Sequence, residues 1–140
     1  MNTSYKRAVI VSSMFGTLFV FMSVYFIIVG PTEYLSNKIH FLINSIVLAI
    51  SMLGFAITMI LTQNKENVVD ERDYYVQKKS YGTGMILSLM YVFLLCIIVF
   101  IINRDAGTVP VTWLWFIGYS TFAFAYAITS LVVIINYNRE

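Results

Sequence analysis

The chain has 140 residues, of which 59% are hydrophobic and only 11% charged. A soluble domain carries about 25% charged and about 45–50% apolar residues, so a soluble fold of this size would lack the polar surface to cover itself. Disorder, coiled coil, disulfide scaffold and compact soluble enzyme are all excluded or disfavoured on these grounds. The net charge of +2, without a dense basic patch, gives no footing for a nucleic acid. The single cysteine, Cys96, lies in an apolar run and has no partner for an internal disulfide. The expected class is an integral membrane protein.

In chain order, the first uncharged apolar segment runs from 8 to 29 and stops at Gly30-Pro31, with Lys6 and Arg7 before it. It is longer than the roughly 7–15-residue core of a signal peptide, and no small-x-small cleavage site follows, so an uncleaved signal anchor is expected. The second segment covers about 39–61, the third 81–102 and the fourth 111–135. Each is about 20–25 residues long, and at about 1.5 Å per residue this matches a hydrocarbon core about 30 Å thick. None of the nine Lys and Arg or seven Asp and Glu residues falls inside them. The expected fold is all-α, a four-transmembrane-helix bundle forming one integral membrane domain over 1–140. Its neighbours should run antiparallel.

Lys6, Arg7, Lys65, Arg72, Lys78, Lys79 and Arg139 share one side, against Lys38 and Arg104 on the other. The positive-inside rule then places both termini and the 62–80 segment in the cytoplasm, with the chain in the cell membrane. Tyr34, Trp113 and Trp115 fall at the outer boundary, where amphipathic rings favour the headgroup layer. The outer loops, 30–38 and 103–110, are too short to hold an external domain.

The only sizeable polar region is 62–80. Residues 62–67 read as a turn or loop, and Asp70 is an N-cap candidate. Glu71 and Asp73 fall in the first turn, where carboxylates suit the helix dipole. Lys78 and Lys79 come two turns later, suited to lipid phosphates at the membrane surface. With no proline from Asp70 to Ile102, one helix of about 50 Å is predicted, leaving about 20 Å in the cytoplasm. A bend at Gly82 or Gly84 is the alternative. Asp70, Glu71, Arg72 and Asp73 are consecutive and point to all sides of a helix, unlike an interfacial amphipathic helix. They read as a solvated, capped helix start, or, with Lys78 and Lys79, as a docking surface for a partner. A divalent-cation site is disfavoured because adjacent acids do not converge without loop geometry.

The run Asp70-Glu71-Arg72-Asp73, then Val76, then Lys79-Ser80, followed directly by an apolar span, resembles a family of prokaryotic membrane proteins of unknown function. That family carries D-E-R-x-x-x-[IV]-x-x-K-[AS] before a transmembrane helix. The resemblance covers about eleven residues, and the spans only through their hydropathy. It implies an inner-membrane location, no assigned catalysis and, since family members are often encoded beside small helix-turn-helix regulators, a regulatory partner.

Membrane helices associate through small residues and hydrogen bonds. Ser80, Gly84 and Ser88 form one such stripe on the third span, and Thr121, Ala125 and Thr129 another on the fourth. Ser12 with Gly16, and Ser45 with Ala49, are shorter versions. Bundle packing is the expected use, a homodimer contact the other. Asn44, inside the second span, is expected to make an interhelical hydrogen bond. His40 reads as a structural residue at the outer edge. Tyr25, Tyr91, Tyr119 and Tyr126 require hydrogen-bond partners or interface positions, and Cys96 reads as a small apolar residue.

With one His, one Cys and no Asp, Glu, Lys or Arg in any span, the sequence offers no catalytic constellation, so no enzyme, no cofactor and no metal are expected. Ion-coupled transport normally uses a charge within the membrane, and Glu33 lies in an outer loop. A small transporter, or a transporter subunit acting as an oligomer, is the alternative. The favoured expectation is a non-enzymatic interaction or regulatory protein that presents residues 70–80 to a membrane or cytoplasmic protein.

Overall fold

The computed structural model describes residues 3–34, 36–61 and 70–139, so the predicted turn at 62–67, with Lys65, lies outside the described residues. Four helices account for almost all of these: α1 (Thr3–Val29), α2 (Lys38–Leu61), α3 (Glu71–Asn103) and α4 (Val111–Arg139). All four are long and apolar enough to cross a membrane, and the chain is a multi-pass membrane protein.

Order along the chain is not order in space. The packed pairs are α1 with α4, α3 with α4, and α1 with α2. All three are antiparallel: Tyr5 meets Tyr137 at the end holding both termini, and Phe26 meets Trp113 at the far end. The fourth helix is therefore central, and α2 and α3, consecutive in sequence, are not a packed pair.

Periodicity explains the central seam. α1 turns Ala8, Val11, Phe15, Leu18, Met22 and Phe26 inward, a three-to-four-residue repeat that makes one face. α4 answers with Phe116, Ser120, Ala123 and Ala127, where small side chains at mid-helix admit the large rings of α1. Phe15 is wholly buried and meets Phe55, Phe122 and Tyr126 at ring separations of 5.6, 5.7 and 5.0 Å.

The second helix is attached differently. Its buried residues are Asn44, Ser51 and Thr58, spaced by seven and so on one face. Each donates back to the carbonyl four residues earlier, of His40, Val47 and Gly54 respectively. The donors of these side chains are thereby satisfied within the helix, and the short side chains allow close approach. Ala49, expected at an interface, is exposed instead, while Ser45 bonds back to the Phe41 carbonyl.

α3 is one unbroken helix through Gly82 and Gly84, the single long helix that the lack of proline predicts. It joins α4 at Gly84. A Cβ built there would lie 2.3 Å from the Thr129 hydroxyl and 3.0 Å from the Thr129 Cα, so only glycine fits. Gly84 and Thr129, from the two predicted stripes, are thus this intramolecular contact. Ser88 bonds the Gly84 carbonyl, and Ala125 lines a cleft described below. The most buried small residues of α4, Ser120, Ala123 and Ala127, lie beside the predicted Thr121–Ala125–Thr129 stripe.

The far end corrects one expectation. Tyr34 and Trp113 are not in a headgroup belt: Tyr34 is fully buried, Trp113 nearly so, and Trp115 packs partly buried against the core. Gly30, at φ +83°, reverses the chain after α1, a conformation costly for a side chain with a Cβ. The turn returns the Tyr34 amide to the Gly30 carbonyl and swings the ring under Phe26 and Tyr25. The Thr112 hydroxyl bonds the Pro31 carbonyl and closes the turn onto α4.

Candidate functional site

The first turns of α3 carry most of the residues expected to dock a partner. Asp70 occupies the N-cap position, yet its side chain makes no capping hydrogen bond, and only its carbonyl enters the helix, accepting from the Tyr74 amide. Asp70, Glu71, Arg72, Lys78 and Lys79 are exposed. Lys79 places its ammonium 6.0 Å from the Tyr75 ring centre, and Tyr74 and Tyr75 stand out in the same exposed arc.

Asp73 differs from its neighbours and is removed from the exposed set. It is 8% exposed, and its Oδ1 accepts the Tyr137 hydroxyl at 2.6 Å. The reason is helical geometry: Asp73, Val76, Ser80 and Gly84 repeat every three or four residues on the face that packs on α4. Along that face Ser80 accepts from the Asn136 amide at 2.9 Å while donating to the Val76 carbonyl. Gln77 reaches across to Ser4 of α1 at 3.1 Å. Three hydrogen bonds thus tie the start of α3 to the ends of α1 and α4. α1 and α4 also run beyond their predicted spans here, so α3 does not protrude alone.

Next to these bonds lies a cleft of about 460 Å³, lined by all four helices. Its lining includes Ser4 and Arg7 of α1, Phe55 and Met59 of α2, Gln77 and Tyr81 of α3, and Thr129 of α4.

At the far end a second polar cluster sits within the rings. The Tyr25 hydroxyl and His40 Nδ1 are hydrogen-bonded, which gives His40 a partner on α1. The Tyr119 hydroxyl donates to the Asn44 carbonyl at 3.2 Å, while the Asn44 amide bonds the His40 carbonyl. The interhelical bond expected of Asn44 is therefore made through its backbone. Among the described residues, the Tyr34 hydroxyl, Asn44 Oδ1 and the Trp113 and Trp115 indole nitrogens are buried without a hydrogen-bond partner. Burial pushes the Tyr34 phenol well above its ordinary range, with the nearby Tyr119 and Tyr25 adding to the shift.

Sequence reasoning overlooked Tyr137, Asn136, Gln77 and Arg7 as site residues. The signal available was small: polar residues at the apolar boundary of α4 sit opposite those of α3 only once an antiparallel α3–α4 pair is assumed. No protein-family model, curated protein or solved structure matches the chain.

Proposed function

We propose that this chain is a membrane interaction protein that presents a fixed charged face of α3, Glu71, Arg72, Lys78 and Lys79, to a protein partner. The observation that carries the reading is the contrast between the two sides of the same helical turns. The inner side is tied down by Asp73–Tyr137, Gln77–Ser4 and Ser80–Asn136, whereas the outer side exposes both signs of charge flanked by Tyr74 and Tyr75. A preorganised surface of charged and aromatic side chains loses little entropy on binding, and rings and arginine are favoured anchors at interfaces. The excess of Lys and Arg at this end supports its placement in the cytoplasm and the chain's placement in the cell membrane.

The test is purification in nanodiscs from the native membrane, comparing the wild-type chain with the double reversal Glu71→Arg, Arg72→Glu. Loss of a stoichiometric partner from the variant, with unchanged insertion and melting temperature, is the expected result. A partner set identical in both, or substrate flux through liposomes containing the purified protein alone, overturns it. Orientation is checked separately: a cysteine at Tyr75 should resist a membrane-impermeant maleimide in intact cells, and one at Ser36 should react.

A further inference from the structure

We propose that Tyr25 and His40 form a proton-operated switch, in which protonation of His40 turns the Tyr25 hydroxyl from the imidazole to the buried hydroxyl of Tyr34. The inference is independent of the docking face.

The resting state follows from what each group can donate. The Tyr25 hydroxyl and His40 Nδ1 share one hydrogen bond, and their rings pack edge-on at a separation of 5.5 Å. A neutral imidazole has one nitrogen that donates and one that accepts. The phenol is the better donor of the pair and the bare ring nitrogen the better acceptor, so Tyr25 donates and Nδ1 accepts. The proton of the neutral ring then resides on Nε2.

A second proton removes that acceptor. Both nitrogens of an imidazolium donate, so Nδ1 now gives its hydrogen to the Tyr25 oxygen, and the Tyr25 hydrogen needs a new acceptor. One is at hand. The Tyr34 ring packs edge-on against Tyr25 at 5.9 Å, and Tyr25 lies close enough to help hold back ionisation of the Tyr34 phenol. Tyr34 is fully buried, and among the described residues its hydroxyl has no hydrogen-bond partner. A hydroxyl accepts as well as donates, and leaving one unpaired inside the protein is costly. The orphan of the first state is thus the acceptor of the second.

His40 is placed to receive the proton. Histidine is the side chain that changes charge between about pH 5 and 8, and the chain has only this one. It is the third residue of α2, half-buried beside the exposed Lys38 and Ile39, so water at this membrane surface lies within one helical turn. Around it α1 contributes Tyr25, the turn Tyr34 and the exposed Glu33, and α2 itself Lys38. α4 contributes Tyr119, whose hydroxyl bonds the Asn44 carbonyl one turn on. Among the described residues no carboxylate bonds the ring, so the phenols and not an ion pair answer the added charge.

The test uses the full-length protein in detergent with 15N-labelled histidine, whose single imidazole gives one unambiguous pair of signals. The proposal expects a transition between about pH 5 and 8, with the proton on Nε2 above it and on both nitrogens below it. Tyr34→Phe should move the midpoint to lower pH by about 0.5–1 unit, the equivalent of one neutral hydrogen bond. In a Tyr25→Phe background the same change should leave the midpoint in place, because the connecting hydroxyl is already gone. A neutral ring protonated on Nδ1, a midpoint unmoved by Tyr34→Phe, or an equal shift without the Tyr25 hydroxyl each overturns the proposal. Should Tyr34→Phe fail to fold, the 13Cζ signal of Tyr34 in the wild-type protein decides. Movement with the His40 midpoint is expected, and a signal fixed across the transition overturns the switch.

Discussion

The two ends of the bundle are closed by different chemistry. At the far end, Phe26 lies between Tyr34, Trp113 and Phe116 at ring separations of 4.9, 4.9 and 4.2 Å, and several polar atoms there are buried without partners. At the end holding the termini the rings are fewer. Closure comes from hydrogen bonds between side chains of separate helices: Tyr137 to Asp73, Asn136 to Ser80 and Gln77 to Ser4. Ring packing tolerates unpaired polar tips because dispersion and area carry the energy. A hydrogen-bonded closure gains less per contact, since water competes for the same groups. The far end is thus closed by ring packing, and the other end by hydrogen bonds between helices.

Substitutions can break that contrast. Phe26→Ala should have the largest effect, about 3–4 kcal/mol, because a buried aromatic is replaced by a cavity; chemical unfolding in detergent measures it. Gly84→Val comes next at about 2–3 kcal/mol, since the added atoms meet Thr129. Thr129→Ala should rescue it only partly, because the backbone Cα of residue 129 still lies 3.0 Å from the new Cβ. Tyr137→Phe should cost about 1.5 kcal/mol, the value of a hydrogen bond to a charged group, and should raise amide exchange near residues 73–80 before it affects the far end.

Alkaline titration sharpens the comparison from the other side. The Tyr34 phenol ionises less readily in the folded chain than at its ordinary value of 10.0. The stability it contributes is therefore complete below pH 10 and is lost as pH rises above it, so Tm should decline there. Tyr34→Phe should flatten part of that decline. The smallest expected effect is that of the Glu71→Arg, Arg72→Glu reversal, within about 0.5 kcal/mol, because both side chains are exposed. A larger loss would show that the outer face of α3 also holds the fold.

Much of this architecture was legible from hydropathy and charge. Helix boundaries follow the uncharged spans closely, Gly30-Pro31 ends α1 as expected, and the long third helix follows from the lack of proline. What could not be read was direction around each helix. In a span apolar on every side no hydrophobic face marks the interface, and only small and polar residues do. Asn44, Ser51 and Thr58 show that the mark existed: three polar residues at intervals of seven, whereas the closer pair Ser45 and Ala49 was the more conspicuous pattern. Asp73 was grouped with its charged neighbours because sequence adjacency hides the roughly 100° turn between consecutive residues. Tyr34 was placed in the headgroup layer because a turn that folds back on the core leaves only a Gly-Pro pair as its trace. The cleft was illegible altogether, since it needs residues from all four helices.

The position of α4 has a consequence for how the chain is made. It is the last of the four helices in sequence, yet it packs on α1 and α3, and its Trp115, Tyr119 and Tyr126 reach Phe41, Asn44 and Phe55 of α2. During synthesis α1 and α2 can pair early, but α3 enters the membrane without its partner. The contacts of its Asp73, Ser80 and Gly84 with Tyr137, Asn136 and Thr129 form only when α4 arrives. The two most extensive packed pairs, α1 with α4 and α3 with α4, thus both wait for α4.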